Sequence, residues 1–230
     1  MITVDGPAAA GKSTVARTLA RRLGFHYLDS GAMYRAATWK ALEEGVKMEE
    51  AEALARVVAD CEIRLRPGQD GARVICDGRD VTDEIRRPRI TEKIHHLADE
   101  PEVRRRLIEQ QRRFARGRDV VAEGRDQGTE VFPDAEVKFY LDASVPARAR
   151  RRIQDLRRAG EDLSVAEVQQ QVRERDRRDR SRPMGALRVQ EDMIRIDSTD
   201  MSVDEVVRRM VEEIKRRTDL HTRSGQEAGA

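Results

Sequence analysis

Four residues near the N-terminus stand at a spacing that does chemistry: Gly6, Gly11, Lys12 and Ser13 in the run Gly6-Pro7-Ala8-Ala9-Ala10-Gly11-Lys12-Ser13-Thr14. The run matches the P-loop template in full, with a short apolar stretch before it and helical spacing after it. Glycine lets the backbone turn tightly without a Cβ clash. The backbone N–H groups then converge on an anion, helped by the N-terminus of the following helix. Lys12 reaches the β- and γ-phosphates of a nucleoside triphosphate, and the Ser13 hydroxyl offers an oxygen to Mg²⁺. A nucleoside triphosphate and Mg²⁺ are therefore expected along Gly6, Pro7, Ala8, Ala9, Ala10, Gly11, Lys12, Ser13 and Thr14.

A P-loop does not say what receives the phosphate. Three further clusters bear on that. Asp29-Ser30-Gly31-Ala32-Met33-Tyr34-Arg35 puts Ser, Tyr and Arg at the start of a helix, just past a strand candidate. Ligands bind at such strand ends in open α/β sheets. Ser30 is most simply a helix N-cap, and Tyr34 is equally at home in a core. Glu123-Gly124-Arg125-Asp126-Gln127-Gly128 follows another strand candidate, and its plain alternative is a Gly turn. In Glu174-Arg175-Asp176-Arg177-Arg178-Asp179-Arg180-Ser181-Arg182, positions 175, 178, 179 and 182 share one helix face. Three Arg and one Asp on a face can clamp phosphates and hold a sugar hydroxyl, or can simply form a solvated face laced with ion pairs.

The chain has 230 residues, with 45 Lys+Arg against 43 Asp+Glu, a net charge of +2. Only six of the 45 cations are Lys, so 39 are Arg, the planar partner of phosphate and carboxylate. Between Arg148 and Arg182 there are 12 Arg, no Lys and seven acids. The near balance of the whole argues against a general nucleic-acid binder. No apolar run approaches ~18 residues, so no membrane span is expected. Two cysteines make no secreted disulfide framework, and no signal peptide is seen, so the expected location is cytoplasmic. Cys61 and Cys76 flank the Pro67–Gly71 turn at nearly facing positions. A cross-strand pair is conceivable, and reduced buried thiols are the expectation.

The elements that must position these clusters can be read from periodicity. Strands are expected at 2–5, 25–28, 119–122, 137–141 and 193–196. Helices are expected behind the P-loop to Gly24, over 30–44, 50–60, 90–98 and 101–116, from after Ser144 to near Gly160, from Ser164 to about Arg180, and after Ser202. Ser164…Glu167 and Ser202…Glu205 read as capping boxes. A hairpin or three short strands is expected over 61–81. Residues 218–230 read as a frayed tail. Helices alternating with short buried strands indicate an α/β fold with a parallel sheet.

The P-loop, Leu28–Arg35 (LDSGAMYR), Glu123–Ala135 (EGRDQGTEVFPDA), Glu174–Arg182 (ERDRRDRSR) and Asp197-Ser198-Thr199 together resemble the bacterial cytidylate kinases, from Ile2 to about Ile214. The resemblance implies a P-loop NTPase three-layer fold: a parallel five-stranded sheet flanked by helices, a small antiparallel β insert and a helical lid. It implies a single domain over 1–217, with its core at 1–60, 82–147 and 183–217, the nucleoside-monophosphate-binding insert at about 61–81 and the Arg-rich lid at about 148–182. It implies CMP and dCMP as substrates, phosphorylated by ATP with Mg²⁺ in a monomer. By the same likeness, Ser30, Tyr34, Arg35 and Arg125 surround the acceptor phosphate. Arg104 and Asp126 contact cytosine, Arg175 and Asp179 hold the sugar, and Arg182 reaches the base or phosphate region. Lys12, Arg125, Arg175 and Arg182 carry the catalytic charge. His95 stands where the family commonly has a cytosine-contacting Ser, and Gln127 where it usually has an apolar residue.

The expected reaction is direct transfer of the γ-phosphoryl group of ATP to the CMP phosphate. An acceptor that is already an anion needs no general base, so positioning and charge do the work. A rival keeps the fold and changes the acceptor to UMP, AMP or a small alcohol such as shikimate. A more distant rival is a nucleic-acid-binding module built on the Arg-rich helices. The interleaved acids and the few aromatics speak against it.

Overall fold

In a computed structural model of the chain, the described residues are 1–68, 71–158, 160 and 163–227, as backbone alone at 71, 158 and 218–227. Five strands, β1 (Ile2–Asp5), β2 (His26–Asp29), β6 (Val120–Gly124), β7 (Val137–Asp142) and β8 (Ile194–Asp197), form one parallel sheet in the order β2-β6-β1-β7-β8. The expected strands are all present, displaced by a residue or two at their ends. β1, β6 and β7 are apolar and buried nearly throughout because helices cover both sheet faces.

Alternation along β6 assigns its residues to two cores. Val120 and Ala122 join one cluster with Leu28 and with Met33 and Trp39 of α2 (Ser30–Glu43). Val121 joins the other with Leu19 of α1 (Lys12–Leu23) and Val206 and Met210 of α8 (Val203–Glu227). A helix–sheet–helix sandwich results. On the first side, α3 (Ala51–Asp60), α4 (Pro88–Asp99) and α5 (Pro101–Ala115) complete the layer. The last helix runs to Glu227, past the expected fraying point at Thr218.

The segment after α3 resolves the hairpin-or-three-strands question in favour of three. β3 (Ile63–Gly68), β4 (Gly71–Cys76) and β5 (Arg79–Asp80) form a separate antiparallel sheet. Asp77 (φ 48°) and Gly78 (φ 83°) make the two-residue turn between β4 and β5, the Asp-Gly pair such turns favour.

After β7, α6 (Val145–Arg158) and α7 (Val165–Ser181) pack on each other through Ala149, Ile153, Leu156, Val168 and Val172. The Ser164 capping box starts α7: its side chain accepts from the Glu167 N–H, and Glu167 accepts from the Ser164 N–H. The same box forms between Ser202 and Glu205 ahead of α8.

Candidate active site

All five parallel strands end at one edge, and four end on an acid: Asp5, Asp29, Asp142 and Asp197. Glu123 adds a fifth carboxylate one residue before the end of β6, in register beside Asp29 and Val4. The P-loop leaves this edge from Asp5 and returns as α1. Its backbone lies so close to β7 that a Cβ on Gly6 (φ 153°) would stand 2.0 Å from the Leu141 carbonyl oxygen, so only glycine fits. Gly11 precedes α1 with φ 92° and no side chain caps the helix, so its first backbone N–H groups have no intrahelical partner.

Lys12 is 5% exposed and donates from Nζ to the Pro7 carbonyl at 2.7 Å. Burial, then the nearby Arg125, pull its pKa down to about 7 against the pull of Glu123 and Asp179. The Lys12 amine is thus held in the loop without an ion-pair partner among the described residues. Ser13 Oγ donates to Glu123 Oε1 at 2.5 Å, and the Tyr27 hydroxyl donates to the same oxygen at 3.1 Å. Burial, then Asp29, raise the Glu123 pKa above the usual carboxylate range. A hydroxyl beside a buried carboxylate is an all-oxygen donor set of the kind Mg²⁺ takes, so these residues fit the expected ion. Glu123 opens one of the clusters read from the sequence, but is given no role there. Its signal was available: an acid directly at the end of the apolar run Val120-Val121-Ala122.

Ser30 is not the N-cap of α2. That role falls to Asp29, whose Oδ1 accepts the Ala32 N–H at 2.7 Å, while Ser30 is the first helical residue. The Ser30 hydroxyl instead donates to the Glu123 carbonyl at 2.7 Å, tying α2 to β6. Arg35, one turn on, lies 3.4 Å from Asp29 Oδ2. It lines a cleft of about 210 Å³ with Ser13, Asp29, Val74 and Arg86. Tyr34 does not line this cleft; its buried hydroxyl is unpartnered, and its ring lies under the Arg104 guanidinium at 5.4 Å, close to Asp126 and Arg182. Burial raises its pKa.

Arg104 is 2% exposed. It pairs with Asp126 and donates to the Ala98 carbonyl at 2.9 Å, but its Nε is unpartnered. A buried donor left unpaired is costly, and a ligand acceptor would satisfy it. Asp5 accepts the backbone N–H groups of Gln127 at 2.9 Å and Gly128 at 2.7 Å. It thereby fixes the loop that bears Arg125 and Asp126. The Gln127 side chain has a clear role: fully buried, it donates to Gln111 of α5 at 3.0 Å. The pairing is partial, since Gln127 Oε1 and Gln111 Nε2 stay buried without a partner.

The shared face of α7 divides. Asp179, 2% exposed, accepts from Arg125 Nε at 2.7 Å and lies 2.6 Å from an Arg182 nitrogen. Burial alone would raise its pKa, but Arg125, Arg182 and Arg175 outweigh it and hold it down at about 2. Arg182 also donates to Asp99 of α4 at 2.7 Å, joining α7 to α4. Arg175 makes no hydrogen bond or ion pair among the described residues. Burial and then Arg125 lower its pKa to about 10. Arg178, the fourth member of the face, is exposed. His95 is not drawn into this network. Its Nδ1 is bound to the Glu92 carbonyl of its own helix at 2.8 Å, and its ring lies 4.1 Å from that of His96. Burial, then His96, lower its pKa.

Two Arg of α6 touch the P-loop itself. Arg148 donates to the Ala8 carbonyl at 3.3 Å and grips Asp176 of α7 through two bonds of 2.9 and 2.7 Å. Arg151 donates to the Ala10 carbonyl at 3.1 Å and to Ser198. The charge-rich segment expected from composition is therefore wired to the P-loop. The P-loop lysine thus lies within electrostatic reach of Glu123, which bonds Ser13, and of Arg125, Asp179 and Arg175.

A family model described as cytidylate kinase matches residues 2–216. A cytidylate kinase of Caldanaerobacter subterraneus is 46% identical over 217 residues, covering 94% of this chain and 95% of the relative. One from Rhodopirellula baltica is 48% identical over 206 residues, covering 90% and 88%. One from Carboxydothermus hydrogenoformans is 44% identical, covering 95% and 99%.

Proposed function

This chain belongs to the cytidylate kinase family, and we propose that its cleft passes the γ-phosphoryl group of ATP to the phosphate of CMP or dCMP, giving ADP and CDP or dCDP. The observation that carries this reading is the Arg125–Asp179–Arg182 network with the unpaired Arg175, set against a buried Lys12 whose protonation Arg125, Asp179 and Arg175 shift. Such a set suits a transition state that spreads negative charge over the transferred oxygens.

Gly6–Thr14 bind the ATP phosphates through backbone N–H groups, and Lys12 adds its charge at the β- and γ-phosphates. Ser13 and Glu123 hold Mg²⁺, which when bound neutralises phosphate charge. On the acceptor side, Ser30, Tyr34, Arg35 and Arg125 surround the CMP phosphate. Arg104 and Asp126 take the cytosine edge, with His95 at its border, and Arg175, Asp179 and Arg182 take the sugar and the transferring group. An oxygen of the CMP phosphate attacks the γ-phosphorus as the bond to the ADP oxygen breaks. That acceptor carries close to two negative charges at pH 7, so no residue needs to take a proton from it.

The insert at 61–81 supplies a wall of the acceptor cleft, and the helices at 148–182 act as the lid that excludes water. No helix of the described residues is long and apolar enough to cross a membrane. A monomer in the cytoplasm completes the proposal.

The decisive experiment is ADP formation measured with CMP, dCMP, UMP, AMP, GMP and shikimate as acceptors. CMP and dCMP should be turned over fastest. A higher kcat/KM with AMP or shikimate would overturn the acceptor assignment.

A further inference from the structure

Cys61 and Cys76 take no part in the chemistry above, yet the fold holds them as a pair. Cys61 closes α3 and Cys76 ends β4. Their side chains are 3% and 1% exposed, and their Sγ atoms lie 3.2 Å apart as free thiols. The backbone on both sides is pinned. The Asp77 N–H donates to the Glu62 carbonyl at 3.0 Å, and the Glu62 N–H donates to Asp77 Oδ1 at 2.8 Å. Gln110 of α5 donates to the Cys61 carbonyl at 2.8 Å and accepts the Ile63 N–H at 3.0 Å. Lys40 of α2 holds Asp77 Oδ2 at 2.9 Å. The sulfurs need to close by only about 1 Å to reach the length of a disulfide bond, ~2.05 Å.

We propose that Cys61 and Cys76 are an oxidation site, a dithiol that a peroxide-class oxidant converts into an intrachain disulfide locking the base of the small antiparallel sheet. Either thiol can donate across the 3.2 Å contact; with Cys61 as the donor the Cys76 thiolate is favoured and Cys76 is the attacking sulfur, the same bond raising the Cys61 thiol. The Cys76 thiolate attacks one peroxide oxygen and the O–O bond breaks. The departing hydroxide takes a proton and leaves as water, and Cys76 becomes a sulfenic acid. The Cys61 sulfur then attacks the Cys76 sulfur, the S–S bond forms and the S–O bond breaks. The hydroxide released there takes the Cys61 proton and leaves as a second water. The two sulfurs together give up two electrons, and one peroxide is reduced to two waters.

A metal ion is the rival occupant, since Cys61, Cys76 and Asp77 lie within 4.8 Å of one another. Both Asp77 oxygens are already engaged, by the Glu62 N–H and by Lys40. A tetrahedral site also needs a fourth ligand, and this group offers three. The disulfide would matter to the cleft because β4 carries Ala72 and Val74, which line it beside Ser13 and Arg35. A cross-link at the base of β3 and β4 would restrain that wall and remove conformational freedom from the unfolded chain.

The test uses the full chain, reduced, freed of reductant and then treated with hydrogen peroxide. It is alkylated under denaturing conditions and weighed intact. The expected product is two hydrogens lighter than the reduced chain, takes up no alkylating reagent and is restored by dithiothreitol. Its melting temperature should rise by several degrees, and the amides of 63–76 should exchange more slowly. Cys61→Ser and Cys76→Ser should each lose the melting shift while folding normally in reductant. Sulfenic or sulfinic adducts on the two sulfurs independently, a disulfide between two chains, or zinc retained on the purified reduced chain would each overturn the proposal. Unchanged exchange at 63–76 in an oxidised chain would overturn the locking role. None of these readouts depends on kinase activity.

Discussion

The carboxylate of Asp5 accepts the backbone N–H of Gly128 at 2.7 Å, across 123 positions of sequence. With the Gln127 N–H at 2.9 Å on its other oxygen, it joins the strand that feeds the P-loop to the loop that carries Arg125 and Asp126. The P-loop strand and the Arg125–Asp126 loop are thus referred to one fully buried side chain. In Asp5→Asn an amide N–H₂ must face one of those N–H groups. The loop should shift, and kcat should fall by about 10- to 100-fold, the scale of a small misplacement of reacting groups.

The same residue gives a pH signature. Burial raises the Asp5 pKa to about 7. Between its ordinary value, about 4, and 7 the folded chain binds more protons here than the unfolded chain. This residue's contribution to stability is therefore present below about pH 4 and lost as pH rises through 7. Urea melts of the wild type and of Asp5→Asn should differ in slope across that window, the variant lacking this term. Parallel curves would show that Asp5 does not titrate there.

Lys12 should make ATP binding take up protons. Its pKa is held down at about 7 without an anion, and phosphate must raise it. At pH 8 most free chains then carry a neutral Lys12, while bound chains carry a charged one. Calorimetry in buffers of different ionisation enthalpy should report uptake of a substantial fraction of one proton at pH 8, declining toward pH 6. Lys12→Ala should abolish that uptake and lower kcat/KM by about 10²- to 10⁴-fold. A buffer-independent binding heat would contradict the assignment.

Arg175 should separate activity from stability. It has no ionic partner among the described residues and is crowded by Arg125. Arg175→Ala should leave the melting temperature unchanged or raised, yet lower kcat/KM by about 10²- to 10³-fold through lost charge at the transition state. Arg182→Ala should behave differently. It breaks the pairs with Asp179 and Asp99, though Asp179 keeps Arg125, so stability should fall by about 1–3 kcal/mol along with the rate. Identical profiles for the two variants would refute this division.

Glu123→Gln keeps a hydrogen-bonding side chain but removes the charge beside Ser13. The Mg²⁺ concentration for half-maximal rate should rise by about tenfold or more, with a smaller change in KM for CMP. An unchanged Mg²⁺ requirement would show that Glu123 only orients Ser13 and Tyr27.

The P-loop was legible because its chemistry is local: nine consecutive residues, a strand before and a helix after. The five parallel strands and both capping boxes were legible for the same reason, since apolar runs and a Ser with Glu three residues on act within one element. Pairings across the chain were not. Position 30 reads as an N-cap by residue type, but the backbone enters α2 one residue earlier, so Asp29 caps and the Ser30 hydroxyl is spent on Glu123. Four residues on one face of α7 looked equivalent by spacing, yet neighbouring elements buried Asp179 between two Arg, left Arg175 unpaired and left Arg178 outside.

Sequence alone determined the family, the phosphate-binding loop and the kinds of charge available, because those reside in residue types and short spacings. Only the tertiary structure decided which of the 39 Arg meet which carboxylate. That depends on the desolvation each pair undergoes when strands 2, 6, 1, 7 and 8 bring their ends to one edge and the two Arg-rich helices pack over it.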